Sequence, residues 1–203
     1  MKEISYLYLN GLGDGSRHWH EKLAALWWDR NGTPLEHFPI DWYSEPNLDD
    51  IVESLTLRID ELLRATGRVA IIGSSASGSL AVNVLHANKG KDVLAVIAHG
   101  RLAKGNYSPA NRMSLENRSK NSKTFFESVE RAEATILELD ENEKRKILVL
   151  TQLTDMVVPL ETMTMPGVKT HRSFALGHSG GFIAHLIADR DMIVEFTRNT
   201  EDQ

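Results

Sequence analysis

The sequence predicts an α/β fold: a three-layer sandwich in which an open, mostly parallel six-stranded sheet is flanked by helices. Three observations predict it. Short apolar runs alternate with amphipathic stretches throughout the 203 residues, the pattern of strands and helices around a parallel sheet. The run over 69–72 is continuously apolar, as in strands buried on both faces. No internal repeat or low-complexity linker interrupts the alternation, so 1–203 reads as a single domain.

The elements follow in order. A strand is expected over 4–9. The helix over 17–30 has Trp19, Leu23, Leu26 and Trp27 at one-face spacing. A weaker strand lies over 35–40. Asp49 or Asp50 is then placed to cap a helix whose Ile51, Leu55, Ile59, Leu62 and Leu63 repeat every three to four residues and which stops at Gly67. The strand over 69–72 runs almost directly into a helix over 76–87. Strands over 93–98, 147–151 and 168–174 alternate with helices over 124–139 and 181–198, and the polar end TRNTEDQ is expected to fray. Only 103–123 resists assignment: it is polar, contains Gly105 and Pro109, and is long for a connection.

Composition narrows the class without naming the chemistry. Hydrophobic residues at 41% and charged residues at 25% are those of a soluble globular chain. The absence of cysteine excludes a disulfide scaffold, a thiol nucleophile, a zinc ribbon and an iron–sulfur site. No apolar secretory region follows MKEISYLYLN, and no apolar run approaches the ~20 residues of a membrane span. A net charge of −5 gives no reason to expect nucleic acid or an anionic membrane as partner. A cytoplasmic location is expected.

In an open parallel sheet, ligands bind beyond the carboxyl ends of the strands, so the loops there carry the search. The third strand meets its helix through Gly73-Ser74-Ser75-Ala76-Ser77-Gly78. A serine at the tip of so sharp a turn is exposed beside a helix N-terminus and demands small neighbours, which is the logic of a nucleophile elbow. Gly73 meets that demand; Ser77 stands where a second glycine is usual. The plainer reading makes Ser75 or Ser77 an N-cap. A phosphate loop lacks its Gly-Lys-Ser/Thr ending.

A serine nucleophile needs a base and a group to orient it. Asp155 follows the fifth strand and His178 the sixth, so the chain delivers Ser, Asp and His in the order expected of adjacent strands. Alone, Asp155 is an ordinary turn residue, and His178 is one of eight histidines. Three loops that each supply the required residue type are harder to explain by accident. The loop after the first strand, Asn10 to Ser16, has glycines that let backbone N–H groups approach a ligand, as an oxyanion hole requires. The competing dinucleotide motif begins with Gly11-x-Gly13, but Ser16 occupies its third glycine position, and Glu36 and Asp41 are poorly placed as its acid.

These features together resemble the α/β-hydrolase superfamily over nearly the whole chain. The shared marks are the Asn10-Gly11 loop with Trp19 downstream, the Gly73-x-Ser75 elbow, Asp155 in a D-x-x-V-P context, and Gly177-His178 before the last helix. The resemblance implies Ser75 as nucleophile, His178 as general acid and base, and Asp155 as the group that orients His178. The oxyanion hole would use the backbone N–H groups of Leu12 and Ala76. Two positions depart from the pattern: the first loop usually begins His-Gly, and Ser77 replaces a glycine. Six strands make a minimal version of the fold, like the small lipases and serine hydrolases without a helical cap.

The expected function is hydrolysis of a carboxylic ester or thioester through an acyl-enzyme, on a small-molecule acyl substrate, with no metal or organic cofactor. The alternative is a hydrolase-fold protein that binds a ligand or partner without turning it over. Candidates for substrate contact are Asn10 in the first loop, Trp42 after the second strand, and His99 and Arg101 after the fourth. Arg101, Lys104, Arg112, Arg118, Lys120 and Lys123 face a single acid, Glu116, in this last region. They read either as scattered solvated charge or as a cover that favours anionic substrates. His18 and His20 flank Trp19 and read as ordinary helix histidines, since neighbouring helix positions do not share a face. The sequence leaves acyl chain length and oligomeric state open, with a monomer the default.

Overall fold

The computed structural model describes residues 3–16, 19–44 and 47–200. Six parallel strands, β1 (Glu3–Leu9), β2 (Leu35–Phe38), β3 (Gly67–Ser74), β4 (Val93–Ala98), β5 (Ile147–Thr151) and β6 (Lys169–Arg172), form one sheet in the order β2-β1-β3-β4-β5-β6. Alternate side chains of the central strands enter opposite layers. Leu7, Leu9, Val69 and Ile71 pack with α2 (Leu48–Thr66), α3 (Ser77–Ala87) and α5 (Lys123–Glu138). Tyr6, Tyr8, Ala70 and Ile72 pack with α1 (Trp19–Arg30) and with the C-terminal helices. The chain steps outward from β1 to β2 and then returns past β1 to β3. The loops after β1 and β3 therefore diverge at a topological switch point, with Leu9 beside Gly73 in the register.

Local chemistry sets several element ends. α2 is capped by Asn47, whose side chain accepts from the Asp50 N–H at 2.9 Å, and not by Asp49 or Asp50. Gly67 closes it with φ 83°, a conformation that favours glycine, and donates to the Leu63 carbonyl. Within the region that resists assignment from sequence, Ser114 caps the short helix α4 (Leu115–Arg118). α6 (Glu141–Arg145) carries a full capping box between Asp140 and Glu143.

Two expectations need correction. Trp19, Leu23, Leu26 and Trp27 form the outward face of α1, with Trp19 70% exposed. The buried face is Glu21, Ala24 and Trp28, because polar partners wait for two of them: Glu21 accepts from the Tyr8 hydroxyl at 2.8 Å, and Trp28 Nε1 donates to the Leu186 carbonyl at 2.5 Å. Arg17 and His18, expected to begin this helix, lie outside the described residues.

The helix expected over 181–198 is three pieces: α7 (His178–Ile183), a π-helical turn over Ala184–Ala188, and α8 (Arg190–Asn199). The wide turn carries the fully buried His185, whose Nδ1 lies 3.0 Å from Asp189 Oδ2. α8 does not fray at Thr197, which is buried and bonds the Tyr6 hydroxyl at 2.8 Å. Residues 201–203 of the expected frayed end lie outside the described residues. Among the described residues, no helix is long and apolar enough to cross a membrane.

Candidate active site

Ser75 sits between β3 and α3 with φ 52°, left-handed backbone that a non-glycine residue rarely adopts. The turn is held from every side. The Ser75 N–H donates to the Ala98 carbonyl at 3.0 Å, and its own carbonyl accepts from Gly78 at 3.1 Å and Arg101 at 3.2 Å. A Cβ on Gly73 would lie 2.2 Å from the Ser77 carbonyl oxygen, so only glycine lets α3 turn back this closely. Gly78 meets Gly100 with equal intimacy: a Cβ on Gly78 would stand 2.5 Å from the Gly100 Cα. The Ser77 departure has its own use. Its hydroxyl donates to the Asn10 carbonyl at 2.5 Å and ties the elbow to the loop after β1.

That loop passes directly over Ser75, since a Cβ on Gly11 would lie 3.3 Å from Ser75 Cβ and 3.8 Å from its Oγ. Among the described residues, the backbone N–H groups of Leu12 and Ala76 have no acceptor. Neither is spent on a hydrogen bond within the described residues.

Asp155 and His178 arrive from the other side of β3. β5 and β6 continue to pair beyond the sheet, with Leu153 N–H on the Ala175 carbonyl at 3.2 Å and Gly177 N–H on the Thr154 carbonyl at 3.0 Å. This fastens the Asp155 and His178 loops together. His178 Nε2 lies 2.9 Å from Ser75 Oγ, and Nδ1 lies 2.7 Å from Asp155 Oδ2. A carboxylate only accepts, so Nδ1 carries the proton and Nε2 accepts from the serine hydroxyl. Asp155 Oδ1 accepts from the N–H groups of Val157 at 2.6 Å and Val158 at 3.0 Å. Burial pushes the Asp155 carboxyl up. The hydrogen bond and charge of His178, with these two amides, outweigh burial and hold it below the usual carboxylate range.

Gln152 went unassigned in the sequence and proves central to this loop. It is fully buried and donates from Nε2 to Asp155 Oδ2 at 2.5 Å and to the Gly177 carbonyl at 3.2 Å. A Cβ on Gly181 would stand 1.4 Å from its Oε1. The paired glycines after His178, opposite a polar residue that ends a strand, are the signal that could have found it.

The four substrate-contact candidates are turned inward. The Asn10 side chain donates to the Gly11 and Ile40 carbonyls, both at 2.9 Å, and accepts from the Ile40 N–H at 2.7 Å, leaving none of its amide for a substrate. Trp42 is buried edge-on against Phe125, ring centres 5.8 Å apart, because it belongs to the α2–α5 layer. The Arg101 guanidinium is spent on the carbonyls of Ala103, Lys104 and Met113, and it organises the connection that the sequence left unassigned.

His99 lies behind the His178 ring, edge to face at 4.8 Å, with φ 43° and Nε2 3.1 Å from Ser74 Oγ. Burial, then the neighbouring His178 and His185, push its pKa well below that of an ordinary histidine. Of the basic residues that follow, Lys104 pairs with Glu116 at 3.2 Å, and Arg118 donates to the Met156 carbonyl at 3.2 Å. Arg112, Lys120 and Lys123 are exposed to solvent, consistent with the plainer reading of this region.

No family model matches the chain, and no curated protein matches it in sequence. Solved structures match it in three dimensions. The ydeN gene product of B. subtilis superposes with a TM-score of 0.65 at 12% identity, covering 97% of this chain and 100% of that one. This chain has the α/β-hydrolase fold. A pyrethroid hydrolase from Sphingobium faniae matches at TM-score 0.63 and 15% identity, covering 97% of this chain and 98% of its own. Human thioesterase 2 matches at TM-score 0.59 and 12% identity, covering 98% of both chains. At these identities the likeness is one of α/β-hydrolase architecture, and the residues at Ser75 must speak for their own chemistry.

Proposed function

We propose that this chain is a serine hydrolase that cleaves a small-molecule carboxylic ester or thioester. The observation that carries this reading is the unbroken hydrogen-bond chain Ser75 Oγ–His178–Asp155, at 2.9 and 2.7 Å, anchored on a serine held at φ 52°. His178 Nε2 takes the hydroxyl proton as Ser75 Oγ attacks the carbonyl carbon. The imidazolium so formed is stabilised by Asp155, whose depressed pKa keeps it ionised. Negative charge on the tetrahedral oxygen falls to the N–H groups of Leu12 and Ala76. A single oxyanion donor contributes about 2.7–4 kcal/mol to such a step. His178 then protonates the leaving alcohol or thiol. In the second half, water loses a proton to His178 and attacks the acyl carbon, and His178 returns that proton to Ser75 Oγ as its bond to the acyl group breaks and the acid leaves.

Exposed apolar side chains on the two loops that carry Asp155 and His178 favour an apolar acyl or aryl group. Met156, beside Asp155, is 64% exposed; Phe174 and Leu176, on the loop that leads to His178, are 89% and 68% exposed. The fold shared with a pyrethroid hydrolase and a thioesterase agrees with acyl chemistry without choosing among substrates. Labelling with a fluorophosphonate probe tests the reading. Native protein is expected to label, and Ser75→Ala and His178→Ala to lose the label; a folded native chain that does not label would overturn it. Aryl esters and acyl thioesters then separate the two substrate classes.

A further inference from the structure

The end of the sheet opposite Ser75 carries a second concave site. The amino ends of the parallel strands gather there: Arg68 near the start of β3, Asp92 and Lys146 just before β4 and β5, and Lys169 as the first residue of β6. With α6 and α8 they line a cavity of about 740 Å³, within the range of small-molecule sites.

Charge distinguishes it. Six lining side chains are cationic and two are carboxylates, in a chain of net charge −5. Three of the cations are answered: Arg68 by Asp92 at 2.9 Å, Lys91 by Asp60 at 2.5 Å, and Lys144 by Glu141 at 2.9 Å. The other three rest on neutral groups. Lys146 Nζ donates to the Lys91 carbonyl at 3.0 Å, the Arg145 guanidinium donates to the Asn142 side chain, and Lys169 Nζ stands 6.0 Å from the centre of the Phe196 ring.

The remaining lining carboxylate, Glu195, has no ion-pair partner among the described residues and offsets one of these charges. Among the described residues, two positive charges are left over. The C-terminal end of α6 favours Lys144 and Arg145, but it has no hold on Lys169, which comes from another strand. A concave wall of unanswered positive charge concentrates the field on whatever enters.

We propose that this cavity binds a phosphorylated small molecule, with its phosphate on Arg145, Lys146 and Lys169 and its less polar part against Phe196 and Met192. A phosphate monoester carries about −1.5 to −2 charges at neutral pH, which matches the excess. The site is separate from the Ser75 centre, and binding does not depend on hydrolysis.

The test is titration by calorimetry and thermal shift with adenosine monophosphate and with inorganic phosphate. The proteins are native, Ser75→Ala, the Lys146→Ala/Lys169→Ala double variant and, in case the double variant does not fold, Arg145→Gln. The nucleotide is expected to bind saturably and to raise the melting temperature at about 10 mM, equally in native protein and Ser75→Ala. Loss of the basic contacts should weaken it about tenfold or more. No binding at that concentration, or binding unchanged by the basic-residue variants, overturns the site. Equal affinity for inorganic phosphate overturns the assignment of an organic ligand, and loss of binding in Ser75→Ala overturns its separation from the triad.

Discussion

Ser75 and His178 stand 2.9 Å apart, yet the chain fixes them by opposite means. The elbow is a steric construction: Gly73 against Ser77, Gly78 against Gly100, Gly11 against Ser75, each with no room for a Cβ or barely enough. The His178 side is a polar one, in which Gln152, two loop amides and Asp155 pass hydrogen bonds to the imidazole. Close packing has discrete arrangements and fails by steric clash, whereas a hydrogen-bond network is weakened by removing a partner. The Ser75 turn therefore depends on shape and the His178 ring on partners, and variants should separate the two.

The largest effect is expected on the steric side. Gly73→Ala drives a Cβ to 2.2 Å from a backbone oxygen that has no rotamer to change. It should displace the elbow, abolish probe labelling and cost about 3 kcal/mol or more of stability. Urea midpoints with the label read both at once, and a stable, reactive Gly73→Ala protein would refute the steric account.

Asp155→Asn comes next, with the fold kept and ester turnover reduced about 10⁴-fold, because the amide can hold the wrong imidazole tautomer. The same variant isolates a pH term. The folded Asp155 pKa is depressed below its unfolded value, so its contribution is present above about pH 4 and lost as the pH falls through the folded pKa. The stability advantage of native protein over Asp155→Asn should shrink as melts are run from pH 5 towards pH 2. An advantage that holds or grows on acidification would remove the charge-based explanation.

Gln152→Met sharpens the comparison further. It deletes one donor to a buried carboxylate, worth about 1.5–3 kcal/mol, and should slow turnover with the probe still able to label. An unchanged rate would mean that the Val157 and Val158 amides suffice. The smallest effect belongs to Ser77→Ala, which gives up the bond to the Asn10 carbonyl. About 1 kcal/mol of stability should go, with labelling retained; a larger loss of activity than of stability would show that this bond positions the Leu12 loop.

Much of the frame was legible because buried parallel strands announce themselves. The run Val69 to Ile72 is apolar at every position, since both faces of β3 are covered. Ser75, Asp155 and His178 were singled out by residue type, order and loop position together with the family resemblance, and the structure brings their side chains within hydrogen-bonding reach. What failed was any reading that depended on where a polar partner would be. The α1 stripe of Trp19, Leu23, Leu26 and Trp27 has helical spacing, but Tyr8 and the Leu186 carbonyl draw Glu21 and Trp28 inward instead. Arg101 looked like a substrate contact because its three carbonyl partners come from an irregular connection with no periodicity to read. Gln152 was silent for the same reason: its role exists only once β5 and β6 lie side by side.

The strand order has a consequence for biosynthesis. Ser75 precedes His178 by 103 residues, and at about 5–20 residues per second the ribosome takes roughly 5–20 s to cover that distance. Through that interval the elbow strand already has β1 to pair with, and later β4, while the imidazole is still unmade. His178 follows β6, the outermost strand on its side of the sheet, so Ser75 meets the imidazole only after β6 has been synthesised. A nascent or truncated chain that stops before β6 can hold the elbow strand and still lack the Ser75–His178 contact.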